Sequence, residues 1–242
     1  MEAWRKGLDE TITNSGLEQV MVLNRHSKYL LVSLCPSNII FSEATIVFSF
    51  GTYSEFALLN SSFHDIWAWA FSSTMGSSTL RYSASNSFES FPLISISKTS
   101  KLDNLGNLLH QKRVELTSKL KIGLTDLYNL FHNKNLNFDV SLQEEIEELR
   151  QLHSDIDNEI GNILGWNDLS LNHNFYDLDI LPESDRTRYT VHPPVRREIL
   201  KRLLILNKSI YSEEQNKALS LLKKKAPKKT IDSNVNDLFS NF

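Results

Sequence analysis

Residues 44–71 read ATIVFSFGTYSEFALLNSSFHDIWAWAF, and the fold turns on a change of period inside that stretch. Before Gly51, Ala44 to Phe50 is a short β-branched and aromatic run, the composition of a strand. After it, Phe56, Leu59, Phe63, Ile66, Trp67 and Ala70 recur every three or four residues, which predicts one helix over about 54–71. Upstream, Val20 to Leu23 and Tyr29 to Leu34 are further strand-like runs, followed by a turn at Pro36-Ser37-Asn38. Downstream, Gly76 and its Ser/Thr neighbours end the helix, and Leu80 to Ser83 suggests one more short strand. The segment NSFESFPLI (86–94) reads as a pinned crossover in which Phe88 and Phe91 wedge two domains together and Pro92 fixes the chain direction.

Beyond Lys98 the period is helical throughout. Leu102, Leu105, Leu108, Leu109, Leu116 and Leu120 mark an amphipathic helix that stops near Gly123, and Leu124 to Phe131 forms a second. A third starts at Ser141 with capping-box spacing to Glu144 and carries the stripe Leu142, Ile146, Leu149, Leu152 and Ile156. Trp166 to Pro182 reads as irregular, and Pro193-Pro194 suits the first turn of a last helix to about Leu222. The expected class is therefore α+β: a β-rich mixed domain over 1–97, an all-helical domain over 98–222, and a flexible Lys-rich tail over 223–242.

The formal net charge of −3 conceals strong segregation. Residues 139–188 hold 13 acids against three bases, a balance of −10; residues 189–230 hold 11 bases against three acids, or +8. Residues 98–121 hold six bases against two acids, or +4. Such a pattern means intramolecular charge matching or a phosphate-facing surface beside a solvated one. A single cysteine, Cys35, excludes an internal disulfide framework and suits a reducing, cytoplasmic setting. Neither a signal peptide nor a membrane span is visible in the sequence.

Catalytic patterns are missing. No two glycines stand two apart, no acidic residue has Lys two positions later, and the seven histidines show no metal-ligand spacing. The only Pro-Pro, 193–194, lies between His192 and Val195, not in the Asn-Pro-Pro-aromatic turn that holds an exocyclic amine for methylation. Asp155 and Asp157, two apart on a helix, do not share a face. Cys35 on a strand and His64 and Trp67 on the helix read as structural.

Three segments in order, LNRHSKYLLVSLCP (23–36), SSFHDIWAWAFSSTMGSSTLRYSASNSFESFPL (61–93) and GLTDLYNLFHN (123–133) with LRQLHSDIDNEI and Gly165-Trp166, carry a family resemblance. Together they resemble the C-terminal target-recognition and helical spacer region of adenine-specific DNA methyltransferases of restriction-modification systems, type IIG/IIL-like. The resemblance spans residues 20–215 or so and implies recognition of double-stranded DNA by a module without its own catalytic domain. It implies no cofactor on this chain, with S-adenosylmethionine on a catalytic methyltransferase partner. The chain is then a specificity polypeptide, half of a split enzyme, or a gene remnant. The rival class is an interaction scaffold.

Candidate DNA-binding residues fall in three groups. Arg25, Ser27 and Lys28 put two cations and a hydroxyl at a strand edge, suited to phosphate oxygens or merely to solubilising that edge. Ser78, Thr79, Arg81 and Tyr82, with Ser77, combine hydroxyls, a guanidinium and a ring, and the alternative reading of Arg81 is an ion pair with Glu89. Arg197 and Lys201, one turn apart, either track a DNA backbone or pair with the acidic helix, as do Arg196 and Arg202 beside them.

Overall fold

The computed structural model describes residues 16–76, 78–92, 100–137 and 139–225, with side chains to 217. Its elements run β1 Gln19–Asn24, β2 His26–Ser27, β3 Ser33–Pro36, β4 Thr45–Phe48, α1 Tyr53–Leu59, α2 Ser62–Phe71, β5 Ser73–Met75 and β6 Thr79–Arg81. A π-helical turn Ala84–Phe88 follows, then α3 Ser100–Leu120, α4 Leu124–Phe131, α5 Val140–Ile163, β7 His173–Asp177, β8 Thr187–Val191 and α6 Pro193–Lys225. The class is α+β, with three small antiparallel sheets of order β3-β1-β4, β2-β6-β5 and β7-β8.

The run Val20 to Leu23 is apolar without interruption because both faces of β1 are covered. Met21 and Leu23 join the main core, while Val20 packs with Phe41, Val22 and Val47 on the opposite face. The helix expected over 54–71 is instead two. Asn60 closes α1, and Ser61 caps α2 by accepting from the His64 N–H while its hydroxyl donates to Leu58 C=O (2.7 Å).

The same Asn60 takes the place of a partner strand at Val32, in the stretch Tyr29 to Val32 that precedes β3. Its side-chain amide accepts from the Val32 N–H (3.0 Å) and donates to Val32 C=O (3.2 Å), the two bonds a neighbouring strand would make. Arg113 reinforces the patch from α3, donating to Val32 C=O, Asn60 Oδ1 and Tyr128 Oη.

One apolar cluster runs across residue 97: Met21, Phe48, Phe56 and Trp67 belong to it with Leu102, Leu109, Leu127 and Ile146. The docking of α1 on α3 is close. Asp103 accepts from the Ser54 N–H (3.1 Å), and Gly106 brings its Cα against the Tyr53 carbonyl. Phe88 and Phe91 pack within the first part, on Phe48 and Phe50 and on His64 and Trp67, so the expected inter-domain wedge is a packing corner of the sheet and α2.

Further differences have local causes. The third helix starts at Val140, not at a Ser141 box, because the Asp139 carboxylate accepts from the Leu142 N–H (2.9 Å). The stretch expected to be irregular contains β7, paired with β8 in the register Phe175↔Tyr189. Much of the segregated charge is matched internally. Lys101, Lys112 and Lys119 of α3 pair with Glu159, Glu148 and Glu145 of α5, and Arg202 pairs with Asp168. Of the tail expected over 223–242, Lys223 to Lys225 continue α6 and the rest lies outside the described residues. No helix among the described residues is long and apolar enough to cross a membrane.

Candidate nucleic-acid interface

The two candidate groups of the N-terminal part, far apart in sequence, meet on one sheet. β2 pairs antiparallel with β6, placing His26 opposite Arg81 and Ser27 opposite Leu80, and the Tyr82 N–H donates to Arg25 C=O (2.8 Å). β5 pairs along the other edge of β6, and its three residues are exposed. Gly76, at φ +66°, turns the chain between β5 and β6, a conformation open to glycine without penalty.

Beside this sheet lies a groove of about 1050 Å³, lined by Arg25, Arg81, Ser83, Ser85, Asn86 and Asn207 among others. Both guanidiniums are exposed, and neither has an ion-pair partner among the described residues. Arg81 therefore does not pair with Glu89, which also lines the groove. The hydroxyls and amides come from the π-helical turn, where Ser83 accepts from the Asn86 N–H (3.2 Å). Asn207 of α6 donates to Ser90 C=O (2.6 Å) and anchors the long helix along the groove.

Leu204 also lines the groove, and Arg197, Lys201 and Lys208 share its face of α6 by helical period. All three cations are exposed; Lys201 has only a loose contact with Glu198 (3.6 Å). Lys208 was not among the sequence candidates, although its spacing from Arg197 and Lys201 carries the signal. Arg196 and Arg202 face elsewhere. Arg196 is buried and bonds Asp65 and Thr190, and Arg202 bonds Asp168 and Glu198 over the Trp166 ring.

Other candidates serve the interior. Lys28 is half-buried and held by Asp185 (3.0 Å) and Asn129 (3.0 Å), away from the partnerless arginines. The Tyr82 ring is buried, its hydroxyl bonded to His64 Nε2 (2.9 Å). Since His64 Nδ1 faces the Leu59 carbonyl (2.8 Å), the ring donates there and accepts from Tyr82. Burial pushes His64 down to about 4, so it is a neutral structural histidine, as the sequence indicated. Ser27, Ser78 and Thr79 are half-buried around the β2–β6 pairing, and Ser77 lies outside the described residues.

No family model and no curated protein matches the sequence. Among solved structures the fold is similar to the type IIL restriction-modification enzyme MmeI in complex with DNA. The TM-score is 0.52 with 16% identity, covering 80% of this chain. The chain spans about a fifth of that enzyme's length, 21%.

Proposed function

We propose that the groove beside β6 contacts duplex DNA and that the chain acts as a target-recognition part of an adenine-specific methyltransferase of a restriction-modification system. The observation that carries this reading is the convergence of two exposed arginines, with no ion-pair partner among the described residues, from β2's entry and from β6 on one groove of serines and asparagines. Guanidinium groups grip guanine edges or phosphates in pairs of hydrogen bonds, and short hydroxyl and amide side chains complete such contacts. The likeness to MmeI over most of the chain supports the same reading. S-adenosylmethionine and methyl transfer would belong to a partner subunit or domain. The scaffold alternative draws less support from the acidic helix, whose Glu145, Glu148 and Glu159 already hold lysines of α3.

Mobility-shift titrations with a randomised duplex test the proposal. Binding is expected at low salt and falls steeply as salt rises, because phosphate contacts release counterions. Arg25→Ala and Arg81→Ala each weaken it, and a variant that loses a phosphate contact lowers the salt slope by about one. Absence of binding at low salt, alone and with a methyltransferase partner, overturns the proposal.

A further inference from the structure

A second, smaller cavity of about 90 Å³ lies between the Tyr29–Leu31 segment, α4, α5 and β8, and shares no lining residue with the groove. We propose that it is a receptor for a small oxyanion of the phosphate type. Its walls present hydrogen-bond donors whose protons can be placed by elimination.

Arg113 donates to the Tyr128 oxygen through Nε (2.8 Å) and Nη2 (2.5 Å), which occupies both phenolic lone pairs. Tyr128 must then donate its own proton, and its one remaining neighbour is His153 Nε2 at 2.5 Å. His153 Nε2 is thus an acceptor, and a neutral ring carries its proton on Nδ1. His132 is the mirror case: the Tyr189 backbone N–H donates to its Nδ1 (3.1 Å), leaving the proton on Nε2. Burial and the charges of Arg113 and Arg188 keep both rings neutral, well below the ordinary histidine range.

Both rings line the cavity, and neither remaining N–H has a partner among the described residues. With one lone pair each, already taken by Tyr128 and Tyr189, the rings have none left for a metal ion. The site favours negative charge instead. Lys28, Arg188 and Arg196 line it, and Arg113, 4% exposed, stands behind Tyr128 with no carboxylate partner among the described residues.

The nearby carboxylates are all engaged. Asp65 takes Arg196, Asp185 takes both Lys28 and Arg188, and Asp157 takes His173 and the Ser62 N–H. Four cations, Lys28, Arg113, Arg188 and Arg196, stand against these three carboxylates, which leaves the region electropositive. The volume suits a few waters or one small anion.

Two sources of such a group exist, a free phosphate and the terminal phosphate of an oligonucleotide. Long-range proton–nitrogen correlation spectra of histidine-labelled protein read the tautomers directly. The expected spectrum of the full chain has His132 as the Nε2–H and His153 as the Nδ1–H form, and titrating inorganic phosphate or sulfate shifts both rings saturably. His132→Phe, its fold checked by circular dichroism, weakens phosphate binding about tenfold, the scale of one lost hydrogen bond. A 5′-phosphorylated oligonucleotide compared with its unphosphorylated twin tells which source binds. Ring resonances unmoved by all three anions, or the opposite tautomers, overturn the proposal even if the variant fails to fold.

Discussion

Gly106→Ala isolates the contact that joins the N-terminal sheet region to the helices. A Cβ built at Gly106 falls 2.0 Å from the Tyr53 carbonyl oxygen and 2.8 Å from its carbon, both backbone atoms of α1. An ordinary contact needs more than an ångström beyond that, so α1 and α3 must part. Parting them loosens the shared core to which Phe56, Leu102 and Leu109 belong and stretches the Asp103–Ser54 bond. Helix propensity works the other way, Ala being better than Gly by about 1 kcal/mol in a helix interior. Overpacking costs typically about 1–3 kcal/mol and more when the obstacle is backbone, so a net loss of about 2–3 kcal/mol is expected. For a chain of this size that is a fall of roughly 4–12 °C in Tm. Gly161→Ala is the internal control. It gains the same propensity on α5, yet its Cβ meets only the flexible end of Leu171 at 3.0 Å. Thermal unfolding followed by circular dichroism on both variants decides the matter. A Gly106→Ala protein as stable as Gly161→Ala refutes the close-approach reasoning.

The remaining predictions concern charge. His64, held near 4 when folded against about 6.5 when unfolded, binds fewer protons in the native state, so its contribution to stability is lost as pH falls from about 6.5 towards 4. At pH 5 that amounts to about 2 kcal/mol from this one ring; a His64 midpoint near 6.5 in an NMR titration contradicts it. Arg113→Met removes the charged donor shared by Asn60 Oδ1, Val32 C=O and Tyr128 Oη, leaving only the Asn60–Val32 and Tyr128–His153 bonds, and is expected to destabilise by about 3 kcal/mol, measured by urea unfolding. Lys119→Ala removes an exposed pair with Glu145 and changes stability by less than about 1 kcal/mol, so a larger loss in the same assay makes the α3–α5 charge ladder structural rather than superficial.

Regular elements with an unbroken apolar period were legible in the sequence. The helix over Leu124–Phe131 sits where its leucines place it, and α3 ends close to the expected stop, its last turn followed by Lys121 in a left-handed conformation. What escaped depends on side chains that replace backbone. Nothing in a one-dimensional period marks Asn60 as the partner of Val32, so one helix was read where two exist and a strand was read from Tyr29 where β3 begins only at Ser33. The β7–β8 hairpin was legible in part, for Thr187 to Val191 is β-branched and aromatic, but β7 is short and polar. At the candidate interface, residue chemistry singled out Arg25 and Arg81, whereas their adjacency needed the β2–β6 pairing across 53 residues. Burial decided the other candidates, turning Tyr82 and Lys28 inward.

The ribbon of β5 and β6 is attached to the body along one side only. β2 grips β6 from within, whereas β5 shows all its side chains to solvent, and a Cβ at Gly76 would meet nothing within 4 Å. Residues 73–76 can therefore be exchanged, lengthened or shortened with no core residue having to move. An evolving population can rewrite the ribbon's outer lettering while Leu80, buried at its root, keeps the scaffold constant. The surface proposed to contact DNA and the residues that secure the fold then diversify at separate rates.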